Sequence, residues 1–165
     1  MENKPKVTVL LVDDEPYIRK LMKATFESLG CKVTGEAENG QEGVDMFRQN
    51  NPDLCVLDIH MPVKDGIKAL KEIKSEFPDA FVVMLATMST IGLVRECLDA
   101  GAANFIRKDN AIQDIIKLIK QSWKNCFTGI KKDDAKIRER LKRVVSQEEI
   151  EKMVSKKMMK MPKYT

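Results

Sequence analysis

Two stretches of this chain end an apolar run on a carboxylate. Val9-Leu10-Leu11-Val12 stops at Asp13-Asp14-Glu15-Pro16, and Cys55-Val56-Leu57 stops at Asp58-Ile59-His60-Met61-Pro62. A continuous apolar run of this length reads as a parallel strand buried on both faces. Ligands of open α/β sheets sit beyond the carboxyl ends of such strands. If the two strands are neighbours, Asp13, Asp14 and Asp58 converge on one point. Three crowded carboxylates repel one another unless a cation lies among them, and an all-oxygen donor set suits a hard ion such as Mg2+. One Asp after a strand is explained as well by turn chemistry or a helix cap. Two matched strand ends favour a site.

Two more strand-like runs end on polar groups. Phe81-Val82-Val83-Met84-Leu85-Ala86 ends at Thr87, and Asn104-Phe105-Ile106-Arg107 ends at Lys108. Taken singly, Lys108 reads as a surface lysine and Thr87 as a loop hydroxyl. At one edge with three acids, the set suits a phosphoryl group esterified to a carboxylate. Mg2+ would neutralise phosphate oxygens, Lys108 would pair with another oxygen, and Thr87 would donate hydrogen bonds. Asp58, single and central, is the natural nucleophile, with Asp13 and Asp14 as metal ligands.

The elements that must position these groups alternate along the chain. Apolar runs near 7–12, 32–37, 53–58, 80–86 and 102–107 read as strands. Between them, helical spacing links Ile18, Leu21, Met22, Phe26 and Leu29 up to Gly30. A second helix carries Gly43, Val44 and Phe47 up to Asn50-Asn51-Pro52, and a third carries Ile67, Leu70, Ile73 and Phe77 up to Pro78. A fourth carries Ile91, Val94, Cys97 and Leu98 up to Gly101. A fifth carries Ile112, Ile115, Ile116, Ile119 and Trp123, with Asn110 and Gln113 spaced as a capping box. Five strands alternating with five helices predict an α/β, doubly wound (βα)5 parallel sheet with right-handed crossovers. The flavodoxin-like order 2-1-3-4-5 sets strands one and three side by side.

Composition bounds the rest. The 165 residues are 43% hydrophobic and 33% charged, enough for one domain and an appendage. No apolar run is long enough for a transmembrane helix, and no apolar signal core follows the N-terminus, so a cytoplasmic location is expected. Cys31, Cys55, Cys97 and Cys126 lack metal-site spacing and read as reduced structural thiols, and a single histidine makes zinc a poor fit. The charge is asymmetric: residues 128–165 hold 12 Lys and Arg against 6 Asp and Glu, whereas 1–127 hold 17 against 19.

With Asp13-Asp14, Asp58-x-x-Met61-Pro62, Asp65-Gly66, Gly101-Ala102, Phe105 and Lys108, the chain resembles the receiver domains of bacterial two-component response regulators over roughly residues 6–125. The resemblance implies that Asp58 is phosphorylated by a partner sensor histidine kinase, a phosphotransfer protein or a small phosphodonor. It implies that Asp14, Asp58 and the main-chain carbonyl of His60 hold Mg2+, with Asp13 assisting through water and Lys108 contacting the phosphate. Such a domain is a signalling receiver rather than an enzyme acting on other molecules, with phosphotransfer and dephosphorylation directed at itself. A separate Mg2+-dependent phosphoesterase finds no second acid or base group. A degenerate receiver, acting as a constitutive interaction or DNA-associated module, is the alternative.

The pattern departs from the family at the readout. Counted back from Gly101-Ala102, Ala86 takes the position usually held by Thr or Ser, and Thr87 takes the position usually held by Ala. Thr87 keeps its backbone N–H for the phosphate, while Ala86 and Phe105, the switch pair, are expected to couple differently. A one-residue bulge would restore the hydroxyl. Asp109 stands where the family usually has Pro, so the Lys108–Asp109 peptide is expected to be trans. The His60 side chain is expected at the rim.

Residues 1–127 thus read as the receiver and 128–165 as a basic helical extension. Ile137, Leu141 and Val144 suggest one helix. Ser146-Gln147-Glu148-Glu149 suggests the cap of another with Ile150, Met153, Val154, Met158 and Met161 along one face. The extension fits a solvated helical pair packed on the body or a second copy, a Met-lined element docking an output protein or forming a homodimer, or, least favoured, a nucleic-acid contact.

Overall fold

The computed structural model describes residues 6–127; the expected extension at 128–165 lies outside the described residues. The chain alternates β1 (Thr8–Val12), α1 (Pro16–Ser28), β2 (Lys32–Ala37), α2 (Gly40–Asn50), β3 (Leu54–Asp58), α3 (Gly66–Glu76), β4 (Val82–Ala86), α4 (Ile91–Asp99), β5 (Asn104–Arg107) and α5 (Ile112–Phe127). The strands form one parallel sheet in the order β2-β1-β3-β4-β5, as the alternation predicts. β3 and β4 are buried along their whole length, and β1 is buried from Val9. Their unbroken apolar runs match a sheet covered on both faces. The edge strand β2 is mostly half-exposed and carries Lys32 and Glu36.

Side chains alternate between two cores. On one face Leu10, Val12, Leu57, Met84 and Ala86 pack with Val44 and Phe47 of α2, Leu70 and Ile73 of α3, and Cys97 of α4. On the other, Val9, Leu11, Val56, Val83 and Leu85 meet Met22 and Phe26 of α1 and Ile115, Ile116 and Ile119 of α5. Burial pushes the Cys55 and Cys97 thiols up to about 12, so both behave as small apolar groups. Among the described residues no helix is long and apolar enough to cross a membrane.

Helix starts differ from the apolar pattern in two places. α2 begins at Gly40, where Asn39 accepts from the Glu42 N–H at 2.9 Å and Glu42 reaches back to the Glu38 N–H at 3.0 Å. The first turn of α5 closes on the Ala111 carbonyl, one residue beyond the expected cap. The Asn110 side-chain amide instead donates to the Arg107 carbonyl at 2.9 Å.

Close backbone approaches hold the loop after β3. The Gly66 N–H donates to the Ile59 carbonyl at 2.7 Å, and a Cβ on Gly66 would lie 1.9 Å from the Asp58 carbonyl oxygen. The Gly40 N–H donates to the Lys64 carbonyl at 2.9 Å, and a Cβ there would lie 2.3 Å from that oxygen. Lys64 is ion-paired with Glu72, which Arg48 of α2 also engages together with Glu76. Gly66 lacks a side chain because any would strike the strand end that carries Asp58. Gly66→Ala is therefore expected to cost about 2–3 kcal/mol in urea unfolding, since rigid backbone must shift to admit the methyl; a loss under 0.5 kcal/mol would contradict this packing.

Candidate functional site

β1 and β3 are adjacent and in register, Val12 beside Leu57, so Asp13 and Asp58 stand level at the carboxyl edge. Carboxylate oxygens of Asp13, Asp14 and Asp58 all lie within 4.8 Å of one another. Asp13 and Asp58 are buried at 4% exposure, while Asp14 is exposed. The edge is fixed from both sides: the Asp13 N–H donates to the Ala37 carbonyl at 3.0 Å, and Arg19 Nη1 donates to the Asp13 carbonyl at 2.6 Å.

Lys108 directly follows β5, two strands away from β3. β5 runs one residue past the level of Asp58, which pairs with Leu85 as Leu85 pairs with Ile106, and Lys108 is the residue after it. The long side chain bends back over the sheet edge. Its ammonium lies 2.8 Å from Asp13 Oδ2, 3.1 Å from Asp58 Oδ2 and 2.9 Å from Glu15 Oε1, with the side chain only 7% exposed. Burial alone would lower its pKa, but the short ion-pair contact with Asp13, the hydrogen bond to Glu15 and the charges of Asp13 and Asp58 hold it above the ordinary ammonium range.

One ammonium does not balance the cluster. Burial, then the neighbouring charge of Asp13, pushes Asp58 up to about 7 against the pull of Lys108. Burial likewise raises Asp13, opposed by Lys108 and the Glu15 N–H. Asp58 Oδ1 accepts from the Ile59 N–H at 2.8 Å, and Asp13 Oδ1 accepts from the Glu15 N–H at 2.9 Å. Asp13 Oδ2 is buried and accepts no hydrogen bond of ordinary geometry, although the ammonium lies near it. An under-satisfied buried carboxylate oxygen beside two other carboxylates is the donor set a hard divalent cation requires.

The sequence-predicted residues divide accordingly. Asp13, Asp14, Asp58 and Lys108 are brought together. Thr87 follows β4 immediately and is exposed, and the His60 side chain is exposed at the rim. Ala86 is fully buried and Phe105 half-buried in the core shared with α3 and α4. The β3–β4 and β4–β5 ladders run without a register shift, so no bulge moves the Thr87 hydroxyl into the Ala86 position. The Lys108–Asp109 peptide is trans, as expected.

Two participants escaped sequence reasoning. Glu15 precedes Pro16 at the start of α1 and makes no side-chain cap; its carboxylate goes to Lys108. Arg107 is 8% exposed and clasps Asp109, Nε to Oδ1 at 3.1 Å and Nη2 to Oδ2 at 2.8 Å. The local signal for each was only a charge beside a strand end.

The raised Asp58 sets a pH dependence. Its folded pKa lies above the unfolded carboxylate value, so its contribution to stability is complete below about pH 4 and is lost as pH rises through about 7. In chelator, Asp58→Asn is expected to be more stable than the parent by on the order of 2 kcal/mol at pH 8. That difference should shrink towards pH 5 in denaturant unfolding, and a pH-independent difference would contradict the assignment.

Comparisons with known proteins agree with this geometry. The family model described as response regulator receiver domain matches residues 9–120. The chemotaxis protein CheY of Bacillus subtilis is 36% identical over 114 residues, spanning 69% of this chain and 95% of that protein. CheY of Thermotoga maritima is 39% identical over 100 residues, spanning 61% of this chain and 83% of that protein. Among solved structures, the CheX–CheY–BeF3–Mg2+ complex from Borrelia burgdorferi matches with a TM-score of 0.68 at 31% identity, covering 70% of this chain and 88% of that one. The response regulator domain of Thermotoga maritima CheB matches with a TM-score of 0.65 at 31% identity, covering 73% and 96%. On its sequence, its sheet and its acidic edge together, the chain belongs to the response regulator receiver domains, the phospho-accepting modules of two-component signalling.

Proposed function

We propose that Asp58 is the phosphoacceptor of this receiver. Asp13, Asp14 and Asp58, with the His60 main-chain carbonyl, would hold Mg2+; Lys108 and the Thr87 N–H would receive the phosphoryl oxygens. The observation that carries this reading is the Lys108 ammonium spanning Asp13 and Asp58 at 2.8 and 3.1 Å above three carboxylates. Bound Mg2+ supplies charge neutralisation for the incoming phosphoryl group.

The chain's own residues supply the remainder. The Ile59 N–H fixes Asp58 by one oxygen at 2.8 Å, leaving Oδ2, the oxygen paired with Lys108, to attack phosphorus in line with the departing group of the donor. Attack requires the ionised form, so lowering the Asp58 pKa by cation binding and by Lys108 activates it. As the phosphoryl group arrives, the ammonium passes from the Asp58 oxygen to a phosphoryl oxygen while Glu15 and Asp13 retain it. Water attack on the acyl phosphate returns the carboxylate, which makes dephosphorylation a property of the same site. The donor is a phosphohistidine on a sensor kinase or phosphotransfer protein, or a small acyl phosphate. The output is a protein–protein contact of the phosphorylated form in the cytoplasm.

Incubation with acetyl phosphate and Mg2+ is expected to add one phosphoryl group, read by intact mass, in the parent and none in Asp58→Asn. Labelling that persists in Asp58→Asn would overturn the assignment. Restoring a hydroxyl by Ala86→Thr is expected to enlarge the backbone amide shifts at Phe105 on phosphorylation. Identical shifts in both proteins would remove Ala86 and Phe105 from the readout.

A further inference from the structure

The last residues of β4 lie between the Asp58 strand and the β5 strand, and their peptide groups are shared out between the two. The Leu85 carbonyl accepts from the Ile59 N–H at 3.2 Å, on the β3 side. The Ala86 carbonyl accepts from the Lys108 N–H at 2.8 Å, on the β5 side. In a trans peptide the C=O and N–H point in opposite directions. The Ala86–Thr87 peptide therefore aims the Thr87 N–H away from β5, towards Asp58. The next carbonyl, that of Thr87, lies 3.5 Å from Arg107 Nη2. Residue 87 is thus held by β5 through both of its peptide groups.

Arg107 is built to hold it. It pairs with Ala86 across the ladder, and alternation along β5 sets it on the same sheet face as Phe105. Its side chain is 10% exposed, and the guanidinium fork is engaged at two atoms by Asp109, whose own side chain is 57% exposed. A planar fork fixed on one edge presents its remaining donors in a set direction. Ala86 contributes only a methyl to this face, so a side-chain hydroxyl is absent from the level where Arg107 stands.

We infer that Arg107, oriented by Asp109, is a positioning residue that aims the Thr87 N–H at a phosphoryl group on Asp58 and carries occupancy of the site into β5. This rests on the phosphoacceptor reading of Asp58. Drawing the Thr87 N–H towards a phosphoryl oxygen turns the following peptide as well, and its carbonyl changes its distance to Nη2. The contact at 3.5 Å is long for a hydrogen bond. It therefore has room to tighten or release while the Asp109 pairing stays in place. Side-chain movement of Phe105, two residues back on the same face, then follows from the backbone of β5 rather than from a hydroxyl.

The test uses beryllofluoride, a phosphoryl mimic, with Mg2+ on the full chain, comparing Arg107→Val, Arg107→Lys and Asp109→Ala with the parent. Mg2+ affinity alone is expected to be unchanged, because the groups that act most on Asp13 and Asp58 are Lys108, Glu15 and the acids themselves. Beryllofluoride affinity should fall about three- to tenfold in Arg107→Val, with the Thr87 amide shift on loading reduced. Arg107→Lys keeps a donor and loses the fork, so it should fall between the two; Asp109→Ala should move in the same direction as Arg107→Val. Parent-like beryllofluoride affinity and Thr87 shift in Arg107→Val overturn the inference. So does an equal loss of Mg2+ affinity, which marks a general structural role. Failure of the parent itself to take up beryllofluoride overturns the phosphoacceptor reading first, whereas normal uptake with an indifferent Arg107 overturns this inference alone.

Discussion

The Lys108 ammonium, shared between Asp13 Oδ2 and Asp58 Oδ2, is the interaction on which the rest of the edge depends. Without it two buried carboxylates would face each other in a poorly solvated site, a cost of several kcal/mol that small domains rarely carry. With it the repulsion is reduced and not removed, since Asp58 still lies at about 7. The site is therefore held in a state of partial compensation. On the proposed function, that residual imbalance would drive capture of a divalent cation and, later, transfer of the ammonium to an incoming phosphoryl group.

That arrangement places demands on strand length and loop geometry. β5 must overrun the level of Asp58 by one residue so that Lys108, the next, can fold its stem back, and the ladder from β3 through β4 to β5 must carry no register slip. The loop after β3 must pass close enough to the strand end that Gly66 touches the Asp58 carbonyl and Gly40 touches that of Lys64. Val63, at φ +69° and 83% exposed, pays part of this geometry as backbone strain. The chemistry is thus rigid where the carboxylates sit. At Thr87, just past the end of β4, the chain is exposed and held by the longer Arg107 contact.

The alternation of apolar runs was enough to read the sheet, because a parallel strand buried on both faces leaves little else for Val82–Leu85 or Cys55–Leu57 to be. Adjacency of β1 and β3 then brought Asp13, Asp14 and Asp58 together, and Lys108 followed from the strand after. Glu15 was not legible in this way: it meets Lys108 across 93 residues, and nothing local distinguishes it from a helix-start acid. Arg107 was hidden for a related reason, since a charge within a strand reads as exposed until its partner at Asp109 is seen. The early start of α2 came from a polar cap at Asn39, to which apolar periodicity is blind. The inverted Ala86-Thr87 pair was legible, but whether a bulge corrected it was a question only the ladder could answer.

Crowded carboxylates held by one ammonium, with Asp58 raised to about 7, call for a second cation. Calorimetric titration of Mg2+ at pH 7 and at pH 9, each in two buffers of different ionisation enthalpy, tests this most directly. Net proton release on binding is expected at pH 7, where Asp58 is near its midpoint, and none at pH 9. Binding without proton release at pH 7, or no binding at either pH, would contradict it.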